Sequence, residues 1–269
     1  MKALAALALA LALPLAATAQ PQAVQAPHHG DVLFHHFQGR WVAALGALMV
    51  SQHFGRLAPH DADAELLRGG LLLDWGQHDE AAAAFERVAG QHPLHRDRAW
   101  TMLARARWQR GRVDDAEAAL ARVQAPLSGE RDDERVLLQA QVHLARGRAA
   151  EAAAVLQPLA GRQQPRAASP LAQHNRAIAL LQAGQWPAAQ AELDRIGRSR
   201  AATEEQRVLR DRANLTLALA ALRQQPPDAG SARSALQRVR LHGAASARAL
   251  LADGWAALQQ GRAQDALVP

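Results

Sequence analysis

Histidine is the residue type in this chain most able to hold a metal or move a proton near neutral pH. Nine of the 12 histidines fall in the first hundred positions: His28, His29, His35, His36, His53, His60, His78, His92 and His95. Their spacing decides what they can do. His28-His29 and His35-His36 are sequential, so on a helix the two rings of each pair diverge by about 100°. A helical chelating face needs partners four apart, as in H-E-x-x-H, and no such motif occurs. His92 and His95 flank Pro-Leu in an expected loop and would need distant carboxylates to complete a zinc shell.

The carboxylates point the same way. Asp114-Asp115 and Asp132-Asp133 look like acid/base pairs, but each opens a predicted helix. There they complement the macrodipole and offer capping oxygens. No G-x-S-x-G elbow, no glycine-rich phosphate loop before a helix and no cysteine nucleophile is present. The residues give no basis for an enzyme, and no cofactor or catalytic residue is expected. A metal- or ligand-binding module built on the histidine-rich N-terminal region is the alternative these side chains leave open.

The elements that carry these residues are set by a repeat. A glycine followed five residues later by alanine recurs as Gly39/Ala44, Gly76/Ala81, Gly111/Ala116, Gly147/Ala152, Gly184/Ala189 and Gly261/Ala266. The glycines are 37, 35, 36, 37 and 77 residues apart, the last step leaving room for one degenerate unit. A small residue stands seven before the glycine at Gly69, Ala104, Ala140, Ala177 and Gly254. Around Gly111, Trp100, Leu103, Ala104 and Trp108 precede it and Val113, Ala116, Leu120 and Val123 follow, each set on one helical stripe. Two short amphipathic helices cannot bury both faces alone, so each pair must stack on the next.

This pattern resembles the tetratricopeptide repeat, whose period is about 34 residues. Gly76–Pro93 fits its second half, with Ala81, Phe85, Val88 and Pro93 in the expected slots. The resemblance implies an all-α, right-handed superhelical solenoid of stacked helix–turn–helix repeats over residues 31–269, with about seven hairpins and the last incomplete. It also implies that the first helices line a concave face, at 13, 10, 6 and 3 residues before each turn glycine. Those positions are Arg98, Thr101, Arg105 and Trp108 in the third unit. They are Glu134, Leu137, Gln141 and Leu144 in the fourth, and Leu171, His174, Ile178 and Leu181 in the fifth. Arg98, Thr101, Arg105, Trp108, Gln141 and His174 are the expected protein-binding residues, with Trp and Arg as anchors; the competing reading packs Trp108 between repeats. The chaperone-tail clamp of some family members needs Lys and Asn, which Thr101, Arg105, Leu137 and Gln141 do not supply.

Helix boundaries follow from the same register. Expected helices include 62–75 and 79–88, a third-unit second helix to Val123, and 132–146 with 149–159. A helix starts at Trp186-Pro187, with a linker from Asp194 to Ala202. Thr203 caps a long helix to about Arg223, a second helix covers about 231–240, and a last one about 245–260. Gly69-Gly70 inside a helix costs roughly 1 kcal/mol per residue against Ala, so a close helix approach is the expected compensation.

Residues 1–19 read as a secretory signal peptide: Lys2, the apolar run Ala3–Leu15, then Ala17-Thr18-Ala19 before Gln20. Pro14 interrupts a run already short for a membrane span. Residues 20–30 are expected to be a flexible linker. Export implies a periplasmic or secreted protein held by helix packing without disulfides, since there is no cysteine. The formal charge of +6 and pI near 11.2 come from arginines scattered singly among Asp and Glu, so nucleic acid is not an expected partner. The expectation is a non-catalytic scaffold for another envelope or secreted protein, in envelope assembly, secretion or polysaccharide export, without stable membrane insertion. A second helix cut short at the C-terminus also suggests an accessory repeat region of a longer, truncated protein.

Overall fold

The computed structural model describes residues 26–161 and 169–267, so the expected signal peptide lies outside the described residues. Among the described residues there are thirteen α-helices and no strand. The chain divides into two compact units, residues 1–64 and 65–269. In the first, α1 (Pro27–Phe37) packs on α2 (Trp41–His53), burying Val32 on one helix and Ala44, Leu45 and Leu48 on the other. Of the expected linker, residues 20–25 lie outside the described residues. The rest begins α1, because Pro27 sits in its first turn, where a missing N–H is no loss.

The second unit is a helical solenoid. Helix α3 (Asp61–Asp74), which the unit boundary crosses, leads into α4 (His78–Gln91). The hairpins α5 (Arg96–Gln109) with α6 (Val113–Leu120), and α7 (Glu130–Ala145) with α8 (Ala149–Ala160), follow. Then come α9 (Ser169–Gln182) with α10 (Trp186–Gly197), α11 (Glu204–Leu222) with α12 (Ala229–Leu236), and α13 (Ser246–Gln259). From α4 to α13 each helix packs on the next, and first helices also touch first helices: α5 with α7, α9 with α11, α11 with α13.

Glycine makes the turns. Gly76, Gly111, Gly147, Gly184 and Gly261 all have φ between 72° and 76°, the left-handed region. At Gly111 the N–H donates to the Trp108 carbonyl and the Arg112 N–H to the Arg107 carbonyl, both at 2.9 Å. This 6→1 and 5→2 pair closes the helix C-terminus as a Schellman motif. The Ala116 N–H then donates to the Arg112 carbonyl, starting the second helix at once. Any L side chain at Gly111 would cost about 1–2 kcal/mol.

Small residues set the helix spacing. Ala81, Ala116, Ala152 and Ala189, five after the turn, are fully buried, as are Ala104, Ala140 and Ala177, seven before it. At Gly69 a Cβ would stand 2.4 Å from Cε1 of the fully buried Phe85, so the α3–α4 crossing has no room for a methyl. The adjacent Gly70 meets only the Met102 methyl, at 3.6 Å. Of the pair, Gly69 alone is sterically required.

Helix α4 runs on to Gln91, past the expected 88, and three further boundaries differ from the periodic reading, each for a tertiary reason. Helix α6 stops at Leu120 rather than Val123, because both oxygens of Asp97 accept the N–H groups of Gln124 and Ala125 and pin the loop. Helix α10 runs on to Gly197, inside the expected linker, and the Gly197 carbonyl accepts from Nδ2 of buried Asn214. Helix α12 begins at Ala229 behind Asp228, whose carboxylate accepts the Ser231 N–H, and ends by Leu236. Arg240 is drawn away to Asp211 and Glu204. The Thr203 cap is present as expected, in a reciprocal box with Gln206.

Gly69→Ala is expected to lower the urea midpoint, because overpacking of about 1–3 kcal/mol outweighs a propensity gain of about 1 kcal/mol. Gly70→Ala has the same propensity gain without the clash and is expected to raise it. Equal midpoints for the two variants would mean that the Gly69–Phe85 contact does not set the crossing.

Candidate protein-binding groove

The first helices of three successive hairpins, α3, α5 and α7, form the walls of an open groove of about 630 Å³. On α5 the stripe Arg98, Thr101, Met102, Arg105, Trp108 and Gln109 faces it. Those residues recur at three- and four-residue intervals, one side of a helix. The opposite stripe of α5, with Ala99, Leu103 and Ala106, is buried in the stack. Helix α7 contributes Arg131, Glu134, Leu137, Leu138 and Gln141, and α3 contributes Gly70, Leu73 and Asp74. Leu127, from the loop that Asp97 pins, completes the lining. Its own N–H donates to Asp132, so the loop is anchored from both sides.

The chemistry of this wall is mixed. Trp108, Met102, Leu73 and Leu137 give an apolar floor, and Arg98, Arg105 and Arg131 outnumber Asp74 and Glu134. Arg105 lies 3.8 Å from Glu134 with both side chains largely in solvent. Such a pair is worth about 0–1 kcal/mol and yields easily to a ligand. The Thr101 hydroxyl donates to the Asp97 carbonyl within its own helix, so Thr101 presents mostly carbon.

Five of the six residues proposed from sequence, Arg98, Thr101, Arg105, Trp108 and Gln141, line this one groove. His174 does not. It sits on α9, which contributes nothing to the lining, and its Nε2 is buried without a hydrogen-bond partner. Burial pushes its pKa below the usual histidine value, against a hydrogen bond to Asn175 and with help from nearby Arg212. The α3 wall was accessible to the same reasoning: Gly70 and Leu73 stand six and three residues before Gly76. Met102, Gln109 and Leu127 were not, because they depend on groove width and on a loop.

The other candidates are committed to structure. Asp114 pairs with Arg146 and Asp115 with Arg112. Asp132 takes Arg135 as well as the Leu127 N–H, and Asp133 is buried. In the first unit His29 stacks on His60 with ring centres 4.6 Å apart. Burial and then the His60 ring hold the His29 pKa down, against Asp63. Among the described residues no group of three or more His, Cys, Asp or Glu is placed to hold a metal ion. Nor is any described helix long and apolar enough to cross a membrane.

Comparison with known proteins agrees with this architecture. Residues 72–142 match the tetratricopeptide repeat family model. A tetratricopeptide repeat protein from Parabacteroides merdae ATCC 43184 superposes with a TM-score of 0.62 at 12% identity, covering 89% of this chain and 88% of that one. The apo form of the quorum sensor NprR from B. thuringiensis gives 0.58 at 13% identity over 89% of this chain and 72% of its own. BtubC (BKLC) from P. vanneervenii gives 0.53 at 16% identity over 72% and 87%. These are likenesses of fold. No curated protein matches the sequence. Residues 72–142 thus match the tetratricopeptide repeat, and the hairpins that follow continue the same helical-hairpin architecture.

Proposed function

We propose that the chain is an exported, non-catalytic scaffold that holds a segment of another envelope or secreted protein in the groove of α3, α5 and α7. Tetratricopeptide repeats are in general protein–protein interaction scaffolds. The observation that carries the reading is that partly exposed Trp108, Met102 and Leu137 line one open trough together with Arg98, Arg105 and Arg131. An extended peptide or a partner helix fits such a wall, with apolar anchors in the floor and polar contacts along the rim. Trp and Arg are the side chains that most often dominate such interfaces. Of the carboxylates that could have served as acid and base, Asp114, Asp115 and Asp132 are tied up in ion pairs and Asp133 is buried, which supports binding rather than turnover. Export rests on Lys2, the run Ala3–Leu15 and Ala17-Thr18-Ala19. A place in envelope assembly, secretion or polysaccharide export suits a scaffold of this kind.

A photo-crosslinking amino acid at Arg105 or Trp108 is expected to give a discrete protein adduct in cells, and one at His174 none. Mass spectrometry of the adducts identifies the partner. Arg105→Ala, an exposed change, should then weaken that partner's binding by roughly tenfold without altering thermal unfolding. Absence of an adduct from both groove positions would remove the groove from consideration.

Export is checked separately. Intact-mass and N-terminal analysis of the protein recovered from a periplasmic extract should show a chain beginning at Gln20. A cytoplasmic chain retaining Met1 or Lys2 would contradict it.

A further inference from the structure

Helix α13 is apolar on two sides. Ala249, Ala252 and Ala256 are buried in the stack, where they join the core that α11 and α12 build. On another side Leu251, Trp255 and Leu258 are 74%, 59% and 49% exposed. Their spacing of four and then three residues is the narrow a/d seam that one helix offers to another. Arg248, also exposed, stands three residues before Leu251 on the same stripe. Helix α11, which packs on α13, has an open stripe of its own. Arg212, Leu219 and Arg223, the last just past the helix end, are exposed and fall seven and four residues apart on one face.

The open stripes carry positive charge, and the carboxylates of this region are committed elsewhere. On α11, Glu204 pairs with Arg207 and Arg240, and Asp211 pairs with Arg240. Glu205 accepts from the Thr203 hydroxyl and from its own N–H, so it turns to the helix start. The one carboxylate of α13, Asp253, pairs with Arg233, and α9 has none. On α10, Arg176 holds Glu192, while Arg198 and Arg238 hold Asp194. Asp228 caps α12 and Asp265 pairs with Arg262. These are all the Asp and Glu from Glu192 to the last residue. Among the described residues Arg212, Arg223 and Arg248 have no carboxylate partner.

We infer that the open stripes of α11 and α13 take an acidic amphipathic helix of another protein. Apolar residues at its a and d positions pack along Leu251, Trp255 and Leu258, and its Glu or Asp side chains meet Arg212, Arg223 and Arg248. Trp255 is the anchor and the arginines select the sign of the partner, since like charges across an interface are costly. A second copy docked through the same surface is a poorer occupant. It would set these arginines against their own counterparts with no uncommitted carboxylate to offset them. The inference is independent of the groove on α3, α5 and α7.

The probe is a helix-stabilised synthetic peptide of three heptads, with Leu at a and d and Glu at the flanking positions. Its binding to the full chain is read by fluorescence anisotropy. The peptide is expected to bind, less tightly at high salt. Two controls, one with Lys in place of Glu and one of the same composition without an apolar stripe, should bind roughly tenfold or more weakly. Leu251→Ser with Trp255→Ser, both at exposed positions, should weaken the acidic peptide by roughly tenfold or more at unchanged circular dichroism. Arg212→Glu with Arg248→Glu keeps the apolar seam and should turn the preference towards the Lys peptide, which keeps the test decisive should the serine variant unfold. Equal affinity for the acidic and basic peptides, or no effect of either pair of substitutions, would overturn the inference. Loss of binding in Arg105→Ala instead would place the peptide in the α5 groove and overturn it as well. So would a dimer in sedimentation velocity that Leu251→Ser dissolves.

Discussion

The distance at which two helices may cross governs the second unit. An alanine or glycine at each crossing lets backbones approach closely, and a larger side chain there would force the hairpins apart. The clearest instance is Gly69 against the Phe85 ring, where even a methyl group has no place. The fully buried Ala104, Ala116, Ala140, Ala152, Ala177 and Ala189 repeat the constraint along the stack. The glycine turns serve it, since a Schellman closure at φ near 70° reverses the chain within two residues and keeps each pair in register.

The groove is a consequence of that stacking. A first helix that spends its small and aliphatic stripe on the stack has its other stripe free, and three such helices side by side present theirs to one trough. Arg98, Arg105, Trp108 and Gln141 line the trough while Ala99, Leu103, Ala104 and Ala140 carry the packing. The acidic and basic residues outside the trough hold neighbouring hairpins together instead. Glu117 on α6, for example, takes both Arg146 and Arg148 across the turn between α7 and α8. The first unit follows a different rule: its α2 is apolar on both stripes.

Most of the repeat was legible because glycine at a positive φ and alanine at a tight crossing are choices that few other residues can replace. The Thr203–Gln206 cap was legible for a similar reason, a side-chain pattern confined to four residues. What stayed hidden was settled across the fold. Nothing local to Gln124 and Ala125 announces that Asp97, some 27 residues earlier, will take their N–H groups and end α6. Nothing local to Gly197 shows that Asn214 will hold its carbonyl and prolong α10. The groove was legible as a stripe but not as a boundary. Register alone places His174 on the same kind of face as Gln141, yet α9 lies outside the trough and the residue is half-buried.

Two alanines on α8 put the spacing constraint to its most direct test. Ala152 is fully buried at a crossing, and Ala150, two residues earlier on the same helix, faces solvent. In urea denaturation Ala152→Leu is expected to lose about 1–3 kcal/mol, the cost of overpacking. Ala150→Leu should stay within about 0.5 kcal/mol of wild type. Equal stability of the two variants would contradict the claim that small residues at the crossings hold the stack together.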